Sequence, residues 1–128
     1  MKKNLLDLGI RERQIVGVIY RLGEASVADV LAGLPEPPSY SAVRSMLGLL
    51  VQKNVLACRH EGKRYLYQAV MPKETAQRQT LQNILTNLFS GSASDVVVAL
   101  LDVAGEHLRE EDFVRIQTLI DNARKENR

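Results

Sequence analysis

Ser39, Tyr40, Ser41, Ala42, Arg44 and Ser45 open the stretch SYSAVRSMLGLLVQKN, residues 39–54. Hydroxyls and an arginine at the start of a helix are the side chains that bond to phosphate oxygens and base edges when a helix enters a DNA groove. Arg44 can fork onto guanine O6 and N7, a contact worth ~1–3 kcal/mol of discrimination. It can equally hold a phosphate and only position the helix. Ser39, Ser41 and Ser45 suit phosphate oxygens, with helix capping as the other use of Ser39. Tyr40 offers a ring to a sugar or a thymine methyl. Arg59, Lys63 and Arg64 form a second basic group suited to a duplex backbone. A solvated hairpin would carry the same charges, and an ordinary amphipathic helix would show the same two faces.

Other chemistry is poorly provided for. His60 and His107 are the two histidines, and Cys58 is the one cysteine. A two-histidine metal site needs carboxylate help, for which Glu106 or Glu110 stands near His107. Cys58 follows Val55-Leu56-Ala57 and is expected to be a packed, inert thiol. No nucleophile, base and oxyanion hole assemble, and no glycine-rich phosphate loop follows a strand. The chain is therefore expected not to be an enzyme, and nothing in it implies a cofactor or a metal.

The elements that position these residues follow from apolar spacing. Val43, Met46, Leu47 and Leu50 recur at i, i+3, i+4, i+7, which predicts a helix with one buried stripe. Ahead of it, Ile10–Leu22 reads as a helix with Ile15, Val16, Ile19 and Tyr20 on its apolar face and Leu22 and Val18 flanking. Gly9 and Glu12 favour its start, and Gly23 stops it. Glu24–Val27 is a short connection. Ser26 caps a second helix, Val27–Leu34, with Asp29 at N3. The run Pro35-Glu36-Pro37-Pro38 ends that helix, and Ser39 or Ser41 caps the next. Val55–His60 and Arg64–Ala69 carry β-formers around a Gly62 turn and read as a hairpin. Three helices followed by a hairpin are a winged helix-turn-helix.

Residues 72–128 read differently. Pro72 stands at N1 of a helix running to about Phe89, with Leu81, Ile84, Leu85, Leu88 and Phe89 on one face. Ser90-Gly91-Ser92 breaks it. Ser94 to about Val103 reads as a helix, although Val96-Val97-Val98 also suits a strand; Val97, Leu100 and Leu101 belong to its apolar surface, and Gly105 ends it. A last helix, from about Arg109 to Lys125, carries Phe113, Ile116, Leu119 and Ile120. Acids in its first turn and bases in its last complement the helix dipole. These three helices are too few and too apolar to stand alone. They fold back on the head or pair with a second copy, and a two-fold dimer buries them most economically.

The 128 residues thus divide into a head, 1–71, and a tail, 72–128. Ten Lys/Arg against six Asp/Glu make the head +4; seven against nine make the tail −2. The balance suits a polyanion-binding head on a tail with another task. No apolar run approaches the ~18 residues that span a membrane, and Met1–Ile10 lacks a signal-peptide core. The expected location is cytoplasmic, without membrane insertion. The fold class is mainly α with a small β-hairpin: a winged helix-turn-helix plus a C-terminal helical dimerisation region.

From about Leu8 to Arg124 the chain resembles the penicillinase repressors, the BlaI/MecI/CopY group of bacterial transcriptional regulators. The resemblance is carried by Leu8–Glu12 leading into Val18-Ile19-Tyr20, by Ala25–Asp29 and by Ser39–Arg44. It continues through Leu50–Lys53, the Gly62–Tyr67 wing and Leu88–Gly91. It implies a homodimer on a palindromic operator, repression of resistance or related genes, and entry of Tyr40–Ser45 into the major groove. It also implies that Lys63 and Arg64 touch the backbone, and that a membrane sensor protease is a partner. Tyr20 stands where the family usually has Trp. Gly48-Leu49-Leu50 replaces a run with a central arginine. The Asn-Phe pair that the protease cuts corresponds to Ala99-Leu100. The tail has no cysteine, so the copper-binding cluster of some members is missing.

Overall fold

A computed structural model of the chain describes residues 5–127. Residues 1–4 and 128, with Lys2 and Lys3 of the basic head and the first part of the Met1–Ile10 stretch, lie outside the described residues. Two compact units are present, Met1–Asn83 and Ile84–Arg128.

The first unit opens with a 3₁₀ turn (Leu5–Asp7) and helix α1 (Ile10–Leu22). The Gly9 amide donates to Glu12 Oε1 at 3.1 Å, and Gly23 leaves the helix at φ 85°. Strand β1 (Glu24–Ala25) follows. The sequence reads this as plain connection, because two residues cannot display an alternating pattern. It is a strand because it pairs antiparallel with the outer edge of another, Glu24 with Gln68 and Ala25 with Tyr67. Helix α2 (Val27–Gly33) has the expected reciprocal cap: the Asp29 amide donates to Ser26 Oγ at 3.1 Å, and the Ser26 amide to Asp29 Oδ2 at 3.0 Å. It ends one residue before the expected Leu34.

Helix α3 (Tyr40–Gln52) buries Val43, Leu47 and Leu50. These three and Ile15, Val16, Val18, Ile19, Val30 and Leu56 form the heart of the core. Complete burial of a leucine such as Leu47 contributes about 1.5–3 kcal/mol. Val18, expected on the flank, is inside; Leu22 is half-exposed, and Met46 and Tyr20 pack only partly against the core. The hairpin joins β2 (Leu56–Glu61) to β3 (Arg64–Ala69), and the sheet order is β1-β3-β2. Gly62, at φ 64°, makes its two-residue turn. In β2 only Leu56 is buried, because the hairpin projects beyond the core. Cys58 is therefore exposed rather than packed.

Helix α4 (Lys73–Leu88) begins one residue later than expected. Pro72 is its cap, with its carbonyl accepting from the Ala76 amide at 3.0 Å. Ser90 and Gly91 both have positive φ, 51° and 80°, and break the chain direction. In the second unit, Ser92 caps helix α5 (Ala93–Ala104), taking the Asp95 amide at 3.2 Å. The apolar 96–101 run is thus helix, not strand. Helix α5 ends at Gly105, as expected; at φ −59° this residue then leads a 3₁₀ turn (Gly105–His107). Helix α6 (Glu110–Glu126) closes the described chain. No single described helix is long and apolar enough to cross a membrane.

Candidate nucleic-acid interface

The start of α3 is placed by its neighbours in the fold. Arg11 of α1 donates from its guanidinium to the Pro35 and Glu36 carbonyls, at 3.0 and 3.1 Å. This holds the proline-rich approach, in which Glu36 has φ 44°. Ser39 caps α3, accepting the Ala42 amide at 3.2 Å with Ser41 Oγ 3.3 Å away. At the other end, Lys53 Nζ meets Glu12 Oε2 at 2.8 Å, an ion pair whose carboxylate is largely covered. Two successive residues at the start of α1 therefore hold the connection leading into α3 and the C-terminal end of α3. Sequence reading assigned Glu12 to its own helix start and gave Arg11 no role. Pairings across 24 and 41 residues leave no local signal.

Side chains from three elements line one groove of about 430 Å³: Tyr40 and Arg44 from α3, Lys63, Arg64 and Tyr65 from the hairpin, and Ser26–Ala28 from the start of α2. Tyr65 was not among the expected site residues. Its ring lies 4.3 Å from that of His60, its cross-strand partner. Strand alternation could not single it out: alternation groups Tyr65 with Tyr67, whereas Leu66 and Tyr67 are both buried and Tyr65 is 40% exposed. Burial pushes the Tyr67 phenol up, keeping it neutral. Ser41, Arg44 and Ser45 are exposed on α3, and Ala42 is half-buried. Ser41, Ala42 and Ser45 do not line the groove.

Arg59 stands apart from that group. Its guanidinium forks onto Glu24, at 2.6 and 2.8 Å, and also reaches Glu61 Oε2 at 3.2 Å. The hydrogen bond from Arg59 holds the Glu24 carboxyl below its usual range, and the two carboxylates push the guanidinium further toward its charged form. Arg59 thus cross-links the two outer strands of the sheet over β3. Glu61 also lies 3.6 Å from Arg64, with both side chains more than half exposed. Among the described residues, Arg44 and Lys63 take part in no ion pair.

In the second unit no residue of α5 or α6 is buried. Val97, Leu100, Leu101, Phe113, Leu119 and Ile120 are exposed, with Phe113 at 46%. Ile116 is half-buried. On α4, Leu81 and Leu88 are exposed, and Ile84, Leu85 and the following Phe89 are half-buried. Ala99 and Leu100 both lie inside α5. His107 sits 3.8 Å from Glu106 in an exposed contact. Among the described residues, no group of three histidine, cysteine or carboxylate side chains is arranged to hold a metal ion.

The model of the penicillinase repressor family matches residues 8–122. An uncharacterized 16.5 kDa protein from the ptsI 3′ region of Latilactobacillus sakei is 24% identical over 122 residues, covering 94% of this chain and 82% of that protein. Among solved structures, the YusO protein of Bacillus subtilis is similar at a TM-score of 0.54 and 16% identity, over 93% of this chain and 76% of that one. BpsR of Bordetella bronchiseptica, whose DNA binding is regulated by 6-hydroxynicotinic acid, is similar at a TM-score of 0.49 and 14% identity, over 92% and 76%.

Proposed function

This chain belongs to the penicillinase repressor family, and from that premise we propose that it is a homodimeric transcriptional repressor that binds a palindromic DNA operator. Residues 1–71 are the DNA-binding part and residues 72–128 the dimerisation region. The observation that carries the reading is the groove in which Tyr40 and Arg44 of α3 meet Lys63, Arg64 and Tyr65 of the wing. In this reading α3 enters the major groove with Arg44 toward the bases, Ser41 and Ser45 contact phosphates, and Lys63 and Arg64 grip the adjacent backbone. Ser39 is given to capping and Arg59 to the sheet, since both already have partners.

Dimerisation draws support from the exposed apolar side chains of α4–α6, which have too few partners within one chain. An isologous pairing covers both copies at once and matches a two-fold operator. The family's name points to penicillinase-type resistance genes as targets, and the resemblance adds a membrane sensor protease as partner. Ala99-Leu100, the position matching the family's cleavage site, is helical. Cleavage there needs α5 to unwind first.

Leu49 favours a competing reading, a winged helix used for protein contact. It is an exposed apolar side chain, 48% accessible, where the family carries an arginine. Selection from a random duplex library separates the two. A repressor enriches a palindrome with half-sites about one helical turn apart, and Arg44→Ala weakens binding and relaxes one position in each half-site. A library with no enriched sequence, bound with salt-insensitive affinity, would exclude the operator reading.

A further inference from the structure

A second cavity, of about 350 Å³, lies in the first unit where α1, the α3–β2 connection, the end of β3 and the first two turns of α4 meet. Its wall includes Tyr20, Asn54, Val55, Val70, Thr75 and Ala76. None of these residues lines the groove at α3 and the wing. The volume falls in the lower part of the ~300–1,000 Å³ range of small-molecule sites. One quarter of the chain is charged, yet none of the described residues lining this cavity is Asp, Glu, Lys, Arg or His. An ion entering it would lose water with no counter-charge to replace it. Tyr20 donates its hydroxyl hydrogen to the Met71 carbonyl at 2.8 Å. That bond leaves the phenol oxygen's lone pairs to accept from something else. Burial pushes the Tyr20 phenol above its usual range, so the group stays neutral. The valine methyls and the tyrosine ring supply flat apolar walls, and Thr75 and Asn54 supply polar groups.

We propose that this cavity is a binding site for a neutral, largely aromatic small molecule with one N–H or O–H group that donates to Tyr20 Oη. N-phenyl-1-naphthylamine has this chemistry: it is uncharged, carries one N–H and fluoresces strongly only in apolar surroundings. Titrated into the full chain, it is expected to give saturable fluorescence at one site per chain. In a ¹⁵N-labelled sample it should shift the amide signals of Tyr20, Asn54, Val55, Val70 and Thr75. Thr75→Trp, at an exposed helix position on the wall, should keep the wild-type melting temperature and weaken binding at least tenfold. Absence of saturable binding, shifts confined to α5 and α6, or full affinity in a folded Thr75→Trp protein would each overturn the proposal. These readouts use no DNA, so their failure is distinct from failure of the operator reading.

Discussion

Lys63→Ala and Arg59→Ala delete two charges from the same wing, yet they are expected to act differently on operator binding. Three cations per chain face the groove: Arg44, Lys63 and Arg64. Arg64 has a carboxylate 3.6 Å away, but both partners are well exposed, and such pairs are weak. With Arg44 directed at the bases, Lys63 and Arg64 make four phosphate-facing cations in the proposed dimer. Each neutralised phosphate contributes about −0.9 to the slope of log affinity against log salt, so four give about −3.6. Lys63→Ala leaves two and a slope of about −1.8. Raising salt from about 50 to 200 mM then weakens the wild type about 150-fold and the variant only about 12-fold. Arg59, already forked onto Glu24, releases no counterion on binding, so Arg59→Ala keeps a slope near −3.6 on the same reckoning. Its affinity falls modestly, since Glu24 and Glu61 lose their partner. Fluorescence anisotropy of a labelled operator duplex across this salt range measures both slopes. If Arg59→Ala flattens the slope as much as Lys63→Ala does, the Glu24 fork opens on DNA and the assignment of Arg59 to the sheet is wrong. If neither changes it, the wing does not touch the backbone.

Three further outcomes are expected. A Cβ on Gly33 would lie 2.9 Å from Val18 Cγ1, inside the core, and 3.0 Å from Arg21 Nη2, so Gly33→Ala should destabilise the chain by about 1–3 kcal/mol in urea unfolding; equal or greater stability would contradict that packing. The backbone amide of Ser26, and then its hydroxyl, hold the Asp29 carboxyl below its usual range. Its stabilising contribution is therefore present above the unfolded pKa of ~4 and is lost as pH falls through the lowered folded value. The stability gap between wild type and Asp29→Asn should accordingly close on acidification, and a gap that widens there reverses the argument. Leu119→Asp, on the exposed apolar surface of α6, should convert dimer to monomer in sedimentation velocity without altering the unfolding of the first unit; a wild type that is monomeric at micromolar concentration refutes the pairing.

The buried stripe of α3, the Ser26–Asp29 cap and the Gly62 turn were legible because each is settled within a few residues. Spacing, cap chemistry and positive φ are local properties, and they placed Ile10–Leu22 at its observed bounds. Cys58 was misread for a related reason. A strand's residue types announce a strand but do not say whether anything covers it, and this hairpin extends past the core. Strand β1 and the fork from Arg59 to Glu24 were invisible because each needs a partner over 30 residues away.

By itself, the sequence determined the kinds of element, their order and the basic character of the head, since periodicity and charge are carried in every short window. Only the tertiary structure decided which charges face the groove. Arg59, Lys63 and Arg64 look alike as a basic run. Folding brings Glu24 against the first, and leaves Lys63 and Arg64 lining a groove with Arg44 and Tyr40. The physical reason is that an ion pair depends on distance through space, which antiparallel strand pairing sets and sequence separation does not.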